Sequence, residues 1–236
     1  MKKIAISQSN YIPWKGYFDL INSVDEFVLY DDVQYTKRDW RNRNLIKTAG
    51  GLRWLTIPVL TAQRFHQTIR DTQVADPAWA GRHWQSIELA YRSAPAWDFC
   101  QPWLSRLYEE APGRSLSEVN VLFLGALCRQ LGICTPIRSS GEFQRADGRS
   151  ERLAGICREL GGDIYYSGPA AADYLDQAVF SREGIEVRWM DYGGYPPYHQ
   201  LHGAFEHRVS VLDLLLNEGP QAPAFLKSFG QRSTPT

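Results

Sequence analysis

From Lys2 to Tyr30 a strand, a glycine turn, a helix and a second strand follow one another. No other feature restricts the possible folds as much, because this order belongs to layered α/β architectures. Lys2 to Gln8 is apolar at Ile4, Ala5 and Ile6, as in a strand covered on both faces. Gly16 opens a short helix with Tyr17, Leu20 and Ile21 at i, i+3, i+4 spacing. Glu26 to Tyr30 is the second strand and ends in Asp31 and Asp32. In open α/β sheets, ligands bind outside the carboxyl ends of the strands. The loop after Gln8 and the loop after Tyr30 both belong to that edge.

The rest of the chain extends the pattern. Trp54 to Val59 reads as a third strand, and Thr68 to Val74 as an edge segment alternating about Ile69. Three helical segments then follow within residues 77–132. They are Pro77 to Tyr91, Pro95 to Glu110 (helical after Pro102), and an apolar stripe through Val119, Phe123 and Leu127. Ser115 and Glu118 supply a capping box for the last. Strand-helix alternation returns with Pro136 to Ser139 and a helix running from Gly148 to Gly161. Ile164 to Ser167, Val187 to Met190 and a last helix, Val209 to Leu216, follow. We expect a single Rossmann-like α/β domain over residues 1–227, with a mostly parallel sheet. Residues 77–132 form a helical insertion in it, and 228–236 a flexible tail.

The 26 basic and 26 acidic residues cancel, so no global charge draws the chain to nucleic acid or to an anionic membrane. A local basic loop is compatible with that balance. No apolar run approaches the ~20 residues of a membrane helix, and no membrane partner is expected. Cys100, Cys128, Cys134 and Cys157 lack CxxC spacing and read as free thiols. With no secretory pattern at the first residues, a cytoplasmic location is expected.

Polar residues of diverse chemistry gather in four places. The first loop carries Gln8, Asn10, Tyr11, Trp14, Lys15, Gly16 and Tyr17 before a helix N-terminus, where backbone N–H groups can hold an anion. An ordinary βα turn is the competing explanation. Asp31 and Asp32 could hold Mg²⁺, orient an amine or act as a base. Behind them come Gln34, Lys37, Arg38 and Arg41, then Asn42, Arg43 and Asn44, a density suited to phosphate. A basic surface helix would look similar. Gly148, Arg149 and Ser150 form a second possible cradle or a plain cap, and Ser167 and Gly168 leave a strand towards the same edge. The last loop holds Tyr198, His199, Gln200 and His202. His199 is the candidate proton acceptor, and the histidine spacing is not a metal pattern. GxSxG, P-loop, HExxH and GxGxxG motifs are absent.

The ordered motifs Gln8-x-x-Tyr11-x-Pro13-Trp14-x-Gly16-Tyr17-Phe18, Asp31-Asp32-Val33-Gln34-Tyr35-x-Lys37-Arg38 and Asn42-Arg43-Asn44 resemble the WbqC-like protein family. The resemblance continues through Trp54 to Val59, Tyr166 to Pro169 and Ser210 to Asn217, nearly the whole chain. It implies a role in bacterial O-antigen, lipopolysaccharide or other surface-polysaccharide biosynthesis. Acyl transfer onto an amino sugar is the implied reaction, with glycine or another amino acid as a possible acyl group. A more distant likeness joins the first βα unit to HUP-type nucleotidylyltransferases and pantothenate synthetases, whose His-x-Gly-His motif binds ATP phosphates. Trp14, Lys15, Gly16 and Tyr17 occupy that motif here, so both histidines are absent. The resemblance implies an amide-forming ligase or acyltransferase, in one version using ATP and Mg²⁺, with a nucleotide-linked amino sugar and an amino-acid or other acyl donor as partners. Asp31, Asp32, Lys37, Arg38 and His199 would carry the chemistry. The other polar residues of these loops would bind substrate or nucleotide. A non-catalytic nucleotide-sugar or glycan-binding scaffold, and a transferase that takes its acyl group from aminoacyl-tRNA, are the alternatives.

Overall fold

A computed structural model describes residues 1–231. Five strands, β1 (Lys3–Ser7), β2 (Glu26–Leu29), β5 (Ile137–Ser139), β6 (Ile164–Ser167) and β7 (Glu186–Trp189), form one sheet in the order β5-β2-β1-β6-β7. All its pairings are parallel. The Rossmann-like α/β expectation therefore holds. Both faces of β1 are apolar because both are covered: Ile4 and Ile6 pack on one side, Ala5 on the other.

The larger core holds α1 (Lys15–Asn22), α2 (Trp79–Tyr91), α3 (Trp97–Glu110), α4 (Leu116–Gln130) and α7 (Val211–Glu218). The smaller core holds α5 (Arg149–Glu159) and α6 (Gln177–Arg182). Helices α2, α3 and α4 lie consecutively between the hairpin described below and β5, where the sequence places a helical insertion. The capping box forms as the sequence indicates: Glu118 N–H donates to the Ser115 hydroxyl, and Ser115 N–H to the Glu118 carboxylate.

Four local expectations are corrected. Trp54 to Val59 is not a strand of the main sheet; β4 (Gly51–Thr56) pairs antiparallel with β3 (Arg43–Thr48) in a separate hairpin. Arg43 and Asn44 therefore belong to a strand instead of a charged loop. Helix α3 starts at Trp97 and runs through Pro102. Burial of Cys100, Leu104, Leu107 and Tyr108 offsets the hydrogen bond that proline removes. The residues from Ser228 are not a loose tail, since α8 (Lys227–Gln231) begins there. The N–H groups of Lys227 and Ser228 donate to the buried Asp19 carboxylate, at 3.0 and 2.7 Å. Residues 232–236 of the expected tail lie outside the described residues.

Candidate functional site

Strand order reverses between β1 and β6, which are adjacent although β2 and β5 continue the sheet from β1 in the other direction. A cavity of about 780 Å³ opens there, at the position where open α/β sheets bind ligands. Gln8 enters it from the end of β1, Ser167 and Gly168 from the end of β6, Asp32 and Gln34 from the loop after β2, and Tyr17 from α1. Residues 145–149 close it from before α5. Four arginines, Arg41, Arg145, Arg149 and Arg152, face two aspartates, Asp32 and Asp147. Tyr30, Tyr165, Tyr174 and Tyr192 supply ring surface. Burial first, then the Asp32 charge, raises the Tyr30 pKa, and burial pushes Tyr192 up to about 12. Both hydroxyls stay protonated and can donate.

The two aspartates expected to do chemistry are committed elsewhere. Asp31 is buried. One of its oxygens accepts from Ser9 N–H at 2.8 Å and the other from the Ser117 hydroxyl. It ties the first loop to α4 and does not line the cavity. Asp32 does line it, but accepts from the Ser140 hydroxyl and, at 3.2 Å, from Arg152. Burial by itself would raise the Asp32 pKa. The bonds from Ser140 and Arg152 outweigh burial and hold the carboxyl below its ordinary value. Arg152 is itself fully used, donating also to the carbonyls of Ser140, Phe143 and Gln144. The pair fastens segment 140–144 to the end of β2.

The glycine turn is built around its tryptophan. A Cβ at Gly16 would collide with the indole of Trp14, which packs edge-on against Tyr192 and Tyr195 at 5.2 and 5.7 Å. Gly16 thus makes room for a ring of its own chain, a closer reason than approach to phosphate. Lys15 points away from the cavity: its ammonium lies 5.1 and 5.0 Å from the ring centres of Tyr195 and Tyr198 and donates to Pro196 O. Burial lowers its pKa to about 8. Tyr17 stays at the cavity and donates to Gln8 O at 2.8 Å.

Several residues expected to bind ligand are framework. Tyr11 is fully buried against Trp79, His83 and Phe123, and its hydroxyl is bonded to those of Tyr108 and to His83 Nδ1. Asn42 Nδ2 donates to Ile57 O, and Asn44 Nδ2 to Tyr11 O, fastening the hairpin to its neighbours. Asn10 Oδ1 accepts from Arg41 and so orients a cavity arginine. Lys37, Arg38 and Arg43 do not line the cavity: Lys37 lies 6.0 Å over Phe65, Arg43 lies 4.1 Å over Trp54, and Arg43 donates to Arg38 O.

Of the last loop only Tyr192, near its start, reaches the cavity; Tyr198, His199, Gln200 and His202 do not. Tyr198 and Gln200 donate to the buried Asp213 carboxylate, both at 2.8 Å, and Tyr91 joins them. Burial outweighs these bonds, so the Asp213 pKa is raised. His202 Nε2 is bonded to Ala90 O, and the exposed His199 engages Glu218 only through its backbone N–H. The four loops therefore divide. Three meet at one cavity; the fourth adds Tyr192 to it, and its later residues stitch α2, α7 and the hairpin together.

Comparison with known proteins agrees with the motif order. The model of the WbqC-like protein family matches residues 8–225. The chain belongs to the WbqC-like protein family. It is also 51% identical over 227 residues to the uncharacterized protein Rv1507c of Mycobacterium tuberculosis, which covers 96% of this chain and 98% of that protein. No solved structure matches.

Within the WbqC-like cavity, phosphate fits better than a divalent cation. Arg145 and Arg149 make no ion pair among the described residues, and Arg41 Nε is buried without a hydrogen-bond partner. The cap of α5 is less open than the sequence suggests. Gly148, at φ +93°, has the first-turn Glu151 carboxylate folded against it. The Mg²⁺ ligands implied by the resemblance do not fit, because Asp31 and Asp32 are both committed. Among the described residues no group of three His, Cys, Asp or Glu side chains could hold a metal ion. No histidine lines the cavity. Tyr30, Arg145, Arg152 and Tyr192 were not singled out from the sequence. Tyr30, Arg145 and Tyr192 stand in stretches whose spacing signals only a strand end or a loop, and Arg152 in a helix whose spacing marks only its apolar side chains.

Proposed function

We propose that the cavity binds a nucleotide-linked amino sugar and that the chain transfers an acyl group, glycyl or a related one, onto its amine. One observation carries the reading: a tyrosine-walled cavity at the strand-order reversal, with Arg145 and Arg149 at its rim and, among the described residues, neither an ion pair to them nor a metal cluster beside them. Guanidinium groups match phosphate oxygens bidentately. Phenol rings and hydroxyls suit a base or sugar ring and its polar edge. With the diphosphate anchored, the sugar amine attacks the carbonyl carbon of an activated acyl donor. A C–N bond forms, the bond from that carbon to the donor's leaving group breaks, and the amine proton passes to water at the open mouth. Such a site acts by positioning and by charge stabilisation. This acyl transfer and its place in surface-polysaccharide synthesis are the reading that family membership favours.

A second reading has the same ligand without the chemistry. It is favoured by the commitment of Asp32 to Arg152 and by the lack of a cavity histidine. The experiment is incubation of the protein with ATP, Mg²⁺, glycine and a panel of UDP- and dTDP-linked amino sugars, read by mass spectrometry. A sugar heavier by one glycyl residue establishes the transferase. Saturable binding without product in any donor mixture, aminoacyl-tRNA included, establishes the scaffold.

A further inference from the structure

Among the described residues ten large hydrophobic side chains are exposed, and five of them, Trp40, Leu52, Trp54, Leu60 and Phe65, fall between residues 40 and 65. Phe65 is 71% exposed. The same part of the chain is strongly basic: residues 33–70 hold eight Lys and Arg against one acidic residue, in a chain whose total charge is zero. Lys47 is buried and Arg41 faces the cavity, but the exposed apolar residues join Lys37, Arg38 and Arg43 in one surface, with Leu52 on the same face of β4 as Trp54. Trp40 and Trp54 lie 5.5 Å apart, Arg43 covers Trp54 and donates to Arg38 O, and Lys37 sits over Phe65. Gln67 Nε2 donates to Leu60 O, which links Leu60 to the same loop. The surface reaches the cavity rim, because Gln34, a lining residue, donates to Phe65 O at 2.7 Å.

A solvated loop has no use for this combination. Exposed apolar side chains gathered on one surface mark interaction sites. Tryptophan with lysine and arginine, plus protruding Leu and Phe, is the pattern that settles at a lipid interface. We infer that this surface docks peripherally on an anionic membrane and brings the cavity mouth to the lipid headgroups. Charge complementarity selects the anionic lipid. The aliphatic Leu52 and Leu60 select the acyl boundary over a nucleic acid, since an aliphatic side chain offers a base nothing to stack on. The docking is independent of the cavity's substrate and needs no spanning helix; among the described residues no helix is long and apolar enough to cross a membrane.

The test is vesicle flotation of the full chain at low salt, with phosphatidylcholine alone or with about 30% phosphatidylglycerol. We expect binding to the anionic vesicles at least about tenfold tighter than to the neutral ones, weakened by salt. The double variant Leu60→Ser/Phe65→Ser, and Arg64→Glu at the exposed arginine beside Phe65 in the chain, should each lower vesicle affinity by about tenfold or more. Both change exposed side chains, and thermal unfolding checks that they fold as the parent does. Absence of binding to anionic vesicles overturns the inference. So does a Leu60→Ser/Phe65→Ser variant that floats as well as the parent, because attraction is then merely ionic. Tighter binding of single-stranded RNA through the same residues also overturns it and assigns the surface to nucleic acid.

Discussion

Arg152 reaches across 120 residues of sequence to donate to Asp32 at 3.2 Å, and both side chains are under 10% exposed. The pair joins the end of β2 to the first turns of α5, which line one wall of the cavity. Removing one partner of a buried pair leaves the other charge uncompensated, at a cost of about 3–5 kcal/mol. Arg152→Met should therefore lower stability by about that amount in urea titrations, and lose ligand capture with it. Stability within experimental error of the parent would show that the pair is not a structural tie.

The rim arginines should behave in the opposite way. Among the described residues Arg145 and Arg149 hold no ion pair, so their loss should leave stability within about 0.5 kcal/mol. Hydrogen bonds to charged groups contribute about 1.5–3 kcal/mol each. Arg145→Ala/Arg149→Ala should thus weaken nucleotide-sugar binding by more than about tenfold by calorimetry. Unchanged affinity would place the phosphate elsewhere.

Gly16→Ala tests the turn. Alanine is the better helix former by about 1 kcal/mol, yet here its methyl would displace the Trp14 ring from Tyr192 and Tyr195. We expect a net loss of about 1–3 kcal/mol, partly restored when Trp14→Leu is added. A stabilised Gly16→Ala variant would mean that the ring moves aside freely.

His83 gives the fold an acid-sensitive point. Burial, more than its other interactions, lowers its pKa from 6.5 to about 4. Between those two values the unfolded chain binds a proton that the folded chain refuses, so stability falls as pH drops from 6.5 to about 4. The contribution amounts to as much as about 3 kcal/mol. His83→Gln should flatten that part of the stability profile relative to the parent, measured by denaturant titration at several pH values. Parallel profiles would refute the assignment.

Legibility in the sequence followed the range of the interactions. Apolar runs at β1, β2 and β6, the Ser115–Glu118 box and the spacing in α1 and α5 are signals between near neighbours, and each produced its element. The hairpin of β3 and β4 was missed because Asn42, Arg43 and Asn44 look like a solvated charged run; β4, Ile57 and Tyr11 are what pair and satisfy them. The cavity edge could be placed from strand order and loop position. The identity of its working side chains could not.

By itself, then, the sequence determined the α/β layering, the strand ends that face ligand and the family. Those depend on periodicity, caps and motif order, all written locally along the chain. Only the tertiary structure decided what each polar residue does. Asp31 and Asp32 are neighbours in sequence, but one is bound by Ser9 and Ser117 and the other by Ser140 and Arg152. Tyr11 and Tyr17 lie on one loop and helix start, yet the first fills the core and the second faces the cavity. A polar group's role is fixed by the donors, acceptors and rings that surround it, and folding brings these from distant parts of the chain.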